Sequence, residues 1–125
     1  MPYVAPYESL NAPSVNLSAL KAEQGQPPWR IPLAASSTLR SVLLCWPPGF
    51  RAGTHRHPRA VEIFYIIEGD AEFTFNGTDV QRAPAGTHLF APIGTLHDIK
   101  VVGDHPLLFF VVLGPNEADD TEDLE

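Results

Sequence analysis

Two histidines one residue apart, His55 and His57, precede an acidic residue, Glu62, that lies inside the apolar run VEIFYII. Successive side chains of a strand point to opposite faces, so His55 and His57 share a face. A third imidazole, His97, follows the turn PIG at positions 92–94. Charged and imidazole groups are costly to bury without partners. Three neutral imidazoles and one carboxylate form a good ligand set for a first-row transition metal, and binding the ion offsets their desolvation.

The same residues also allow an interpretation without a metal. A single histidine on a strand is more often a hydrogen-bonded core or surface residue than a ligand, and surface strands also carry His-x-His pairs. For His88, on the strand after Gly86, a hydrogen-bonded structural role is favoured over an acid/base role. His105 lies in a turn before Pro106 and is expected to be exposed and inert.

A pocket is expected around these residues. If Glu62 faces inward, the alternation of the strand turns Phe64 inward as well, so apolar walls surround the carboxylate. Arg51 shares the parity of His55, and it is either a clamp for a substrate carboxylate near the mouth or a solvent-facing guanidinium. The candidate pocket residues are Phe64, Phe73, Phe75, Phe90, Val101 and Arg51.

Turn signals of glycine and proline divide the chain into short strands, which is typical of a β-sandwich or a small barrel. The pair Asn76-Gly77 predicts a tight hairpin turn, because such a turn needs positive φ at both central residues. Further strands are predicted over residues 38–46, 61–67 and 107–113. The last of these has no alternation, so both of its faces should be covered, for example by a partner subunit.

A helix is suggested only over residues 18–25, with Ser18 as its cap and Gly25 as its stop. We predict one domain in three parts: a proline-rich arm over residues 1–36 that packs on a barrel over residues 37–115, and an acidic tail over residues 116–125. Six of the fifteen acidic residues lie in that tail and account for most of the net charge of −7. The tail is therefore expected to be solvated and disordered.

Composition excludes several classes of protein. With 44 % hydrophobic and 18 % charged residues, the chain of 125 residues resembles an ordinary globular domain with its own core. The apolar run 107–113 is too short to span a bilayer, and no basic patch with interleaved aromatic residues indicates nucleic acid as a partner. The N-terminal sequence lacks the pattern of a signal peptide, and Cys45 is the single cysteine. We therefore expect a cytoplasmic protein.

Nine residues at fixed spacing resemble the two sequence motifs of the cupin family. The first motif consists of a glycine, five residues, His-x-His, a glutamate and a second glycine, and the second motif of a glycine, Pro-x-Gly and a histidine. The matching residues are Gly49, His55, His57, Glu62 and Gly69 in the first motif, and Gly86, Pro92, Gly94 and His97 in the second.

The resemblance implies an all-β, single-domain jelly-roll barrel with a metal ion near one mouth. It also implies that the ligands are His55, His57, Glu62 and His97. Where the family often has an asparagine at the end of the second motif, this chain has Val101. That position is not a ligand in the family, but a valine there makes the cavity more apolar.

Function follows from the open positions on such an ion. Four protein ligands on an ion that prefers six leave two positions for water, oxygen or a chelating substrate, with iron or manganese favoured and nickel, zinc or copper as alternatives. Our first hypothesis is a metal-dependent, dioxygenase-type oxidoreductase acting on a small chelating organic compound. The alternatives are a metal-dependent isomerase or lyase, a binding or sensing module for a sugar or small acid, and a metal-free structural protein. A homodimer is expected, with the apolar strand 107–113 and the arm as candidate surfaces.

Overall fold

The computed structural model describes residues 9–116 and 121–125, and within them the secondary structure is almost entirely β. One short helix, α1 (Leu17–Ala22), precedes the strands. The strands in chain order are β1 (Trp29–Ala35), β2 (Arg40–Trp46), β3 (His55–Arg56), β4 (Val61–Glu68), β5 (Asp70–Phe75), β6 (Asp79–Pro84), β7 (His88–Ala91), β8 (His97–Val101), β9 (Leu107–Gly114) and β10 (Glu122–Asp123). They form two antiparallel five-stranded sheets, in the orders β1-β2-β9-β4-β7 and β10-β3-β8-β5-β6. The predicted all-β jelly-roll fold is confirmed.

The two sheets bury alternate side chains of their strands against each other. On β4, Glu62, Phe64 and Ile66 are buried, and on β5, Ala71 and Phe73 are buried. This is the parity that the sequence predicts, because a strand with one covered face buries every second residue. The aromatic rings of Phe64 and Phe73 meet edge to face with centroids 5.0 Å apart, so the core is closed directly behind Glu62.

β9 is an internal strand of the first sheet and pairs with β2 on one side and β4 on the other. On its outer face, Leu108 joins Leu43 and Cys45 in a second apolar cluster, and Leu17 and Leu20 of α1 pack against that cluster. Helix α1 of the same chain therefore packs on the outer face of β9, which was expected to be covered, for example by a partner subunit. Because β9 has no free edge, it cannot support a dimer by strand pairing, and the homodimer stays a prediction.

The hairpin between β5 and β6 turns at Asn76 and Gly77, whose φ angles are 51° and 78°. The amide of Thr78 donates to the carbonyl of Phe75 over 3.2 Å and closes the turn. Positive φ at both central residues is what the Asn-Gly pair predicts, so this turn is confirmed.

The N-terminal part of the chain differs from its prediction in two details. Helix α1 is capped by Asn16, whose side-chain oxygen accepts a hydrogen bond from the amide of Ala19, and it ends at Ala22. Ser18 lies inside the first turn, and Gly25 lies beyond the end of the helix. No helix among the described residues is long and apolar enough to cross a membrane. Residues 29–35 of the predicted arm form β1, which pairs along its length with β2, and the arm as a separate part of the chain stays a prediction.

Described residues of the acidic tail contact the barrel. Asn116 is only 1 % exposed, and β10 pairs with β3 on the second sheet. Glu122 makes an ion pair with Arg56 at 2.6 Å, so acidic residues near the end of the chain find partners on the barrel. Residues 122 and 123 therefore pair with the barrel, residues 117–120 lie outside the described part, and the disorder expected for the tail as a whole stays a prediction. The division of the chain into an arm, a barrel and a tail stays a prediction in its other boundaries.

Gly69, between β4 and β5, lies very close to the backbone of Pro106, just before β9. Its φ is +91°, and a Cβ atom there would lie 2.5 Å from the carbonyl oxygen of Pro106. Gly86 has nearly the same φ, +92°, but open space around it. We expect Gly86→Ala to lower the free energy of unfolding by about 1–2 kcal/mol through backbone strain alone, and Gly69→Ala to lower it by at least about 1 kcal/mol more. Urea titrations compare the two variants, and equal losses would contradict the close approach at Gly69.

Candidate metal centre

Three strands and one turn bring the four candidate ligands together. His55 begins β3 and is directly opposite His97 of β8 in the register of the second sheet. His57 follows β3, where the amide of Gly94 donates to its carbonyl over 3.0 Å. Glu62 comes from β4 of the first sheet. One ligand atom from each of these four side chains lies within 4.8 Å of the other three, so this cluster could hold a metal ion.

Three of the four side chains are buried, and the carboxylate of Glu62 lies so close to two imidazole nitrogens that a positive charge is needed between them. His57, Glu62 and His97 are 6 %, 8 % and 1 % exposed. Oε1 of Glu62 lies 3.1 Å from Nε2 of His57 and 3.2 Å from Nε2 of His97. If these nitrogens carry lone pairs, they face an anionic oxygen and repel it, so either a proton or a metal ion must lie between them.

Hydrogen bonds at the other ring nitrogen show which atoms are available to an ion. Nδ1 of His55 lies 2.8 Å from the carbonyl oxygen of Gly53, and Nδ1 of His97 lies 3.1 Å from that of Thr95. A carbonyl only accepts, so both Nδ1 atoms carry the proton and donate. The neutral form of each ring then has its lone pair on Nε2, as a metal ligand requires. The donor set, its burial and its tautomers all fit a transition metal.

The pKa values follow from burial and from the neighbouring rings. Burial lowers the pKa of His55 from 6.5, because a charged imidazole loses its hydration inside the barrel. Burial opposes ionisation of Glu62 too, but the Nε2 atoms of His57 and His97, which can donate to its Oε1 when they carry a proton, outweigh it and lower its pKa from 4.5 to about 2. His55 is therefore kept neutral and Glu62 charged, which are the protonation states that bind metal.

The cluster borders a cavity of about 260 Å³ between the two sheets. Its wall combines apolar side chains with the ligands His55, His57 and Glu62, two arginines and two residues from the C-terminal end. The apolar residues are Val42, Leu44, Trp46, Ala52, Phe64, Ile99, Phe109 and Val111, and the remaining polar ones are Arg30, Arg40, Thr121 and Asp123.

Of the predicted pocket residues, Phe64 lines the cavity. Phe73 and Phe75 lie behind the site, where Phe73 packs on Phe64 and the ring centroids of Phe75 and His97 are 6.5 Å apart. Val101 faces the barrel interior as predicted and is 1 % exposed, but it belongs to the packed core rather than to the wall of the cavity.

The other two predicted pocket residues lie elsewhere. Phe90 is 50 % exposed, because Leu89 and Ala91 are the residues of β7 that turn inward. Arg51 makes ion pairs with Asp98 and Glu125 outside the cavity, so the solvent-facing interpretation of its guanidinium is closer to the structure.

The two remaining histidines lie away from the cluster. His88 is exposed on the outer face of β7, opposite Tyr65 of β4. His105 is exposed, with its Nδ1 2.7 Å from the carbonyl oxygen of Pro106. His105 is exposed as expected for its turn, whereas the hydrogen-bonded structural role favoured for His88 stays a prediction.

The sequence analysis missed the two arginines of the cavity. Arg40, like Val42, Leu44 and Trp46, is an even-numbered residue of β2, and all four line the cavity. The alternation of faces along this strand could therefore have indicated that Arg40 points into the barrel. Arg30 lies on β1, in the segment that was expected to be an arm. Neither residue is part of the family motifs, and only the pairing of β1 with β2 brings both to the same cavity.

Comparison with known proteins defines the class. The family model of the cupin domain matches residues 42–113, which is more than half of the chain, so this protein belongs to the cupin family. It is 35 % identical over 78 residues to the dimethylsulfoniopropionate lyase DddQ of Ruegeria pomeroyi. It is 39 % identical over 67 residues to an oxalate-binding protein of Thermotoga maritima.

These matches cover parts of the proteins concerned. The match to the lyase spans 62 % of this chain and 38 % of the lyase, and the match to the oxalate-binding protein spans 54 % of each. Among solved structures, a conserved protein from Klebsiella pneumoniae with a double-stranded β-helix domain aligns over 91 % of this chain and 98 % of its own, with a TM-score of 0.77. At 22 % sequence identity, that likeness shows the fold alone.

Removing a ligand should affect metal content and stability together. We expect His55→Ala, His57→Ala and His97→Ala each to lower the bound metal and the melting temperature of the metal-loaded protein, because binding to the folded state stabilises it. His105→Ala and His88→Ala are matched controls that should change neither. Elemental analysis and thermal unfolding measure both effects. Loss of metal in the His105 variant would contradict the assignment of the site.

Acidification should destabilise the metal-free protein through two of these groups. As the pH falls below 6.5, the unfolded chain protonates His55 more readily than the folded chain does. Between pH 4.5 and about 2, it also protonates Glu62 more readily. At these two groups the unfolded state thus binds more protons, so their contribution to the free energy of unfolding falls as the pH falls.

Urea titrations of chelator-treated protein over this pH range measure the effect. His55→Ala should remove the part of the fall that begins just below pH 6.5, whereas His105→Ala should leave it in place. An identical pH profile in the His55 variant and the wild type would contradict the lowered pKa of His55.

Proposed function

We propose that this protein is a metal-dependent enzyme that binds a small organic carboxylate at the four-residue centre. The observation that carries this proposal is the presence of Arg30 and Arg40 in the same cavity as His55, His57 and Glu62. A guanidinium presents a planar fork of donors that matches a carboxylate. A ligand that reaches both an ion and an arginine would be held at two points and oriented.

The charge of the cavity favours an anionic ligand. A bound divalent ion would compensate the carboxylate of Glu62, and the two arginines from β1 and β2 outnumber the one other carboxylate that the described residues contribute to the wall, that of Asp123. The rest of the wall is mostly apolar, with Trp46, Phe64 and Phe109 as its largest members. A low-dielectric surrounding strengthens the attraction between the cations and a bound carboxylate.

Two of the similar proteins have names that fit this chemistry. One is named for oxalate, which is a dicarboxylate, and the other for dimethylsulfoniopropionate, which carries one carboxylate. These names support a carboxylate as the substrate class. The identity of the compound is beyond them, because the matches cover only part of either protein.

Among the reactions open to such a centre, we favour oxidation by dioxygen, in a dioxygenase-type oxidoreductase. A redox-active ion, iron or manganese, would supply the oxygen chemistry when bound. The residues of the cavity would bind the carboxylate, orient it and exclude water. Apart from the ligands and the arginines, Asp123 is the only ionisable group that the described residues contribute to the wall, so proton transfer has few candidates.

A lyase is the second candidate, and a specific observation favours it. The 35 % identical relative is named as a lyase, and the carboxylate of Asp123 at the cavity could accept a proton from a substrate. A binding module without turnover, as in the protein named for oxalate binding, is the third. A homodimer and a cytoplasmic location remain part of the proposal.

Anaerobic reconstitution with Fe²⁺ or Mn²⁺ separates these candidates. The loaded protein is mixed with oxalate, short 2-oxo and 2-hydroxy acids and dimethylsulfoniopropionate, and oxygen uptake and products are followed with an oxygen electrode and mass spectrometry. Oxygen uptake that depends on both metal and acid supports the oxidoreductase. Product formation without oxygen identifies the lyase, and a bound acid that is recovered unchanged identifies the binding module.

Arg40 offers a direct test of carboxylate recognition. Arg40→Met keeps most of the aliphatic length of the side chain and removes the guanidinium. Loss of a charge-assisted hydrogen bond should raise the dissociation constant of the carboxylate about 10–100-fold while the metal content stays unchanged. Arg82→Met is the matched control, because Arg82 pairs with Asp70 and does not border this cavity. Calorimetric titration of the metal-loaded variants measures the change, and equal affinities in both would contradict the proposal.

A further inference from the structure

Each of the three candidate imidazole ligands has a described hydrogen bond at Nδ1, but the partners differ in kind. His55 and His97 donate to backbone carbonyls two residues earlier in the chain, at Gly53 and Thr95. Nδ1 of His57 instead lies 3.2 Å from the side-chain hydroxyl of Thr121, which is 64 residues away in sequence. A backbone carbonyl is present whatever the sequence, whereas this hydroxyl depends on one residue type.

We propose that Thr121 is a positioning residue of the metal centre, whose hydroxyl accepts a hydrogen bond from Nδ1 of His57. This inference rests on the proposed metal site. A hydroxyl can donate or accept, and the neutral imidazole binds an ion through Nε2 only when Nδ1 carries the proton. Thr121 therefore holds His57 in the ligating tautomer and fixes the plane of its ring, as outer partners of metal-bound histidines do.

The last five described residues, 121–125, hold this hydroxyl in place, and we call them the C-terminal clasp. The described hydrogen bonds and ion pairs of residues 122–125 all reach residues 51–56, the segment that ends in β3. The anchors are the ion pair of Glu122 with Arg56 at 2.6 Å, the bond from the amide of Leu124 to the carbonyl of Thr54 at 3.0 Å, and the bonds from Arg51 and the amide of Thr54 to Glu125, both 2.6 Å.

The clasp is thus attached to the segment that contains His55 and directly precedes His57. Asp123 is opposite His55 in the register of β10 with β3, and it also borders the cavity. The pairing of β10 with β3 places Thr121, which directly precedes β10, beside His57, which directly follows β3. This attachment explains how a residue so distant in sequence can serve a ligand.

The exposure of Thr121 makes the role testable. Thr121 is an exposed residue, so its methyl group contributes little to the core. Thr121→Val replaces the hydroxyl by a methyl group of similar size, and Thr121→Ser keeps the hydroxyl and removes the methyl group. Thr78→Val, at the exposed hairpin turn after β5, makes the same chemical change far from the centre.

The experiment measures Zn²⁺ affinity by competition with a chromophoric chelator, together with the imidazole NMR spectrum of the Zn²⁺-loaded protein. Thr121→Val should weaken Zn²⁺ binding about 10–100-fold. It should also expose the Nδ1 proton of His57 to exchange with water while the Nδ1 protons of His55 and His97 keep their signals. Thr121→Ser and Thr78→Val should behave as the wild type in both measurements.

Three outcomes would overturn the inference. Wild-type affinity and an unchanged His57 signal in Thr121→Val would show that the hydroxyl has no positioning role. Equal loss of affinity in Thr121→Val and Thr121→Ser, with a lowered free energy of unfolding of the metal-free protein, would show a structural role only. Failure of the wild type itself to bind Zn²⁺ would remove the proposed metal site and this inference with it, and that result is distinguishable from the first two.

Discussion

The carboxylate of Glu62 is enclosed by two imidazoles and an apolar barrel, and its charge has to be balanced there. It is 8 % exposed, and one of its oxygens lies within 3.2 Å of a ring nitrogen of His57 and of His97. An isolated charge at such a depth destabilises a fold by several kcal/mol. A divalent ion held between the rings can balance it, because the ion also uses the lone pair of His55.

Much of this centre could be predicted from local patterns. A strand alternates its faces, so the shared face of His55 and His57 and the inward direction of Glu62 followed from parity alone. That His97 would join them could not be obtained in this way, because it depends on the pairing of β3 with β8. The resemblance to the cupin motifs supplied that step. The hairpin at residues 76–77 was equally predictable, since its backbone conformation is demanded by the residue types.

Features that depend on distant contacts were beyond the sequence. β7 has only four residues and little alternation in hydrophobicity, so the sequence does not determine which of its residues face inward, and Phe90, one of the candidate pocket residues, lies on the exposed face. The proline-rich composition of the first 36 residues predicts an arm that includes Arg30. In the structure, Arg30 belongs to β1, the edge strand of the first sheet. The acidic composition of residues 116–125 favours disorder. Composition does not show that Arg51 and Arg56 of the barrel make ion pairs with Glu125 and Glu122.

The brevity of β3 has a consequence for how an ion arrives. This strand has two residues, it meets β8 through the single register pair of His55 with His97, and its other neighbour is the equally short β10. Elsewhere, β9 pairs with β2 and β4 over seven positions each. Local opening is easiest where few backbone hydrogen bonds must break. The edge of the second sheet formed by β3 and β10 can therefore open locally while the rest of the barrel stays folded. Loading and loss of metal can then proceed from the native protein, at rates set by fraying of this edge rather than by global unfolding.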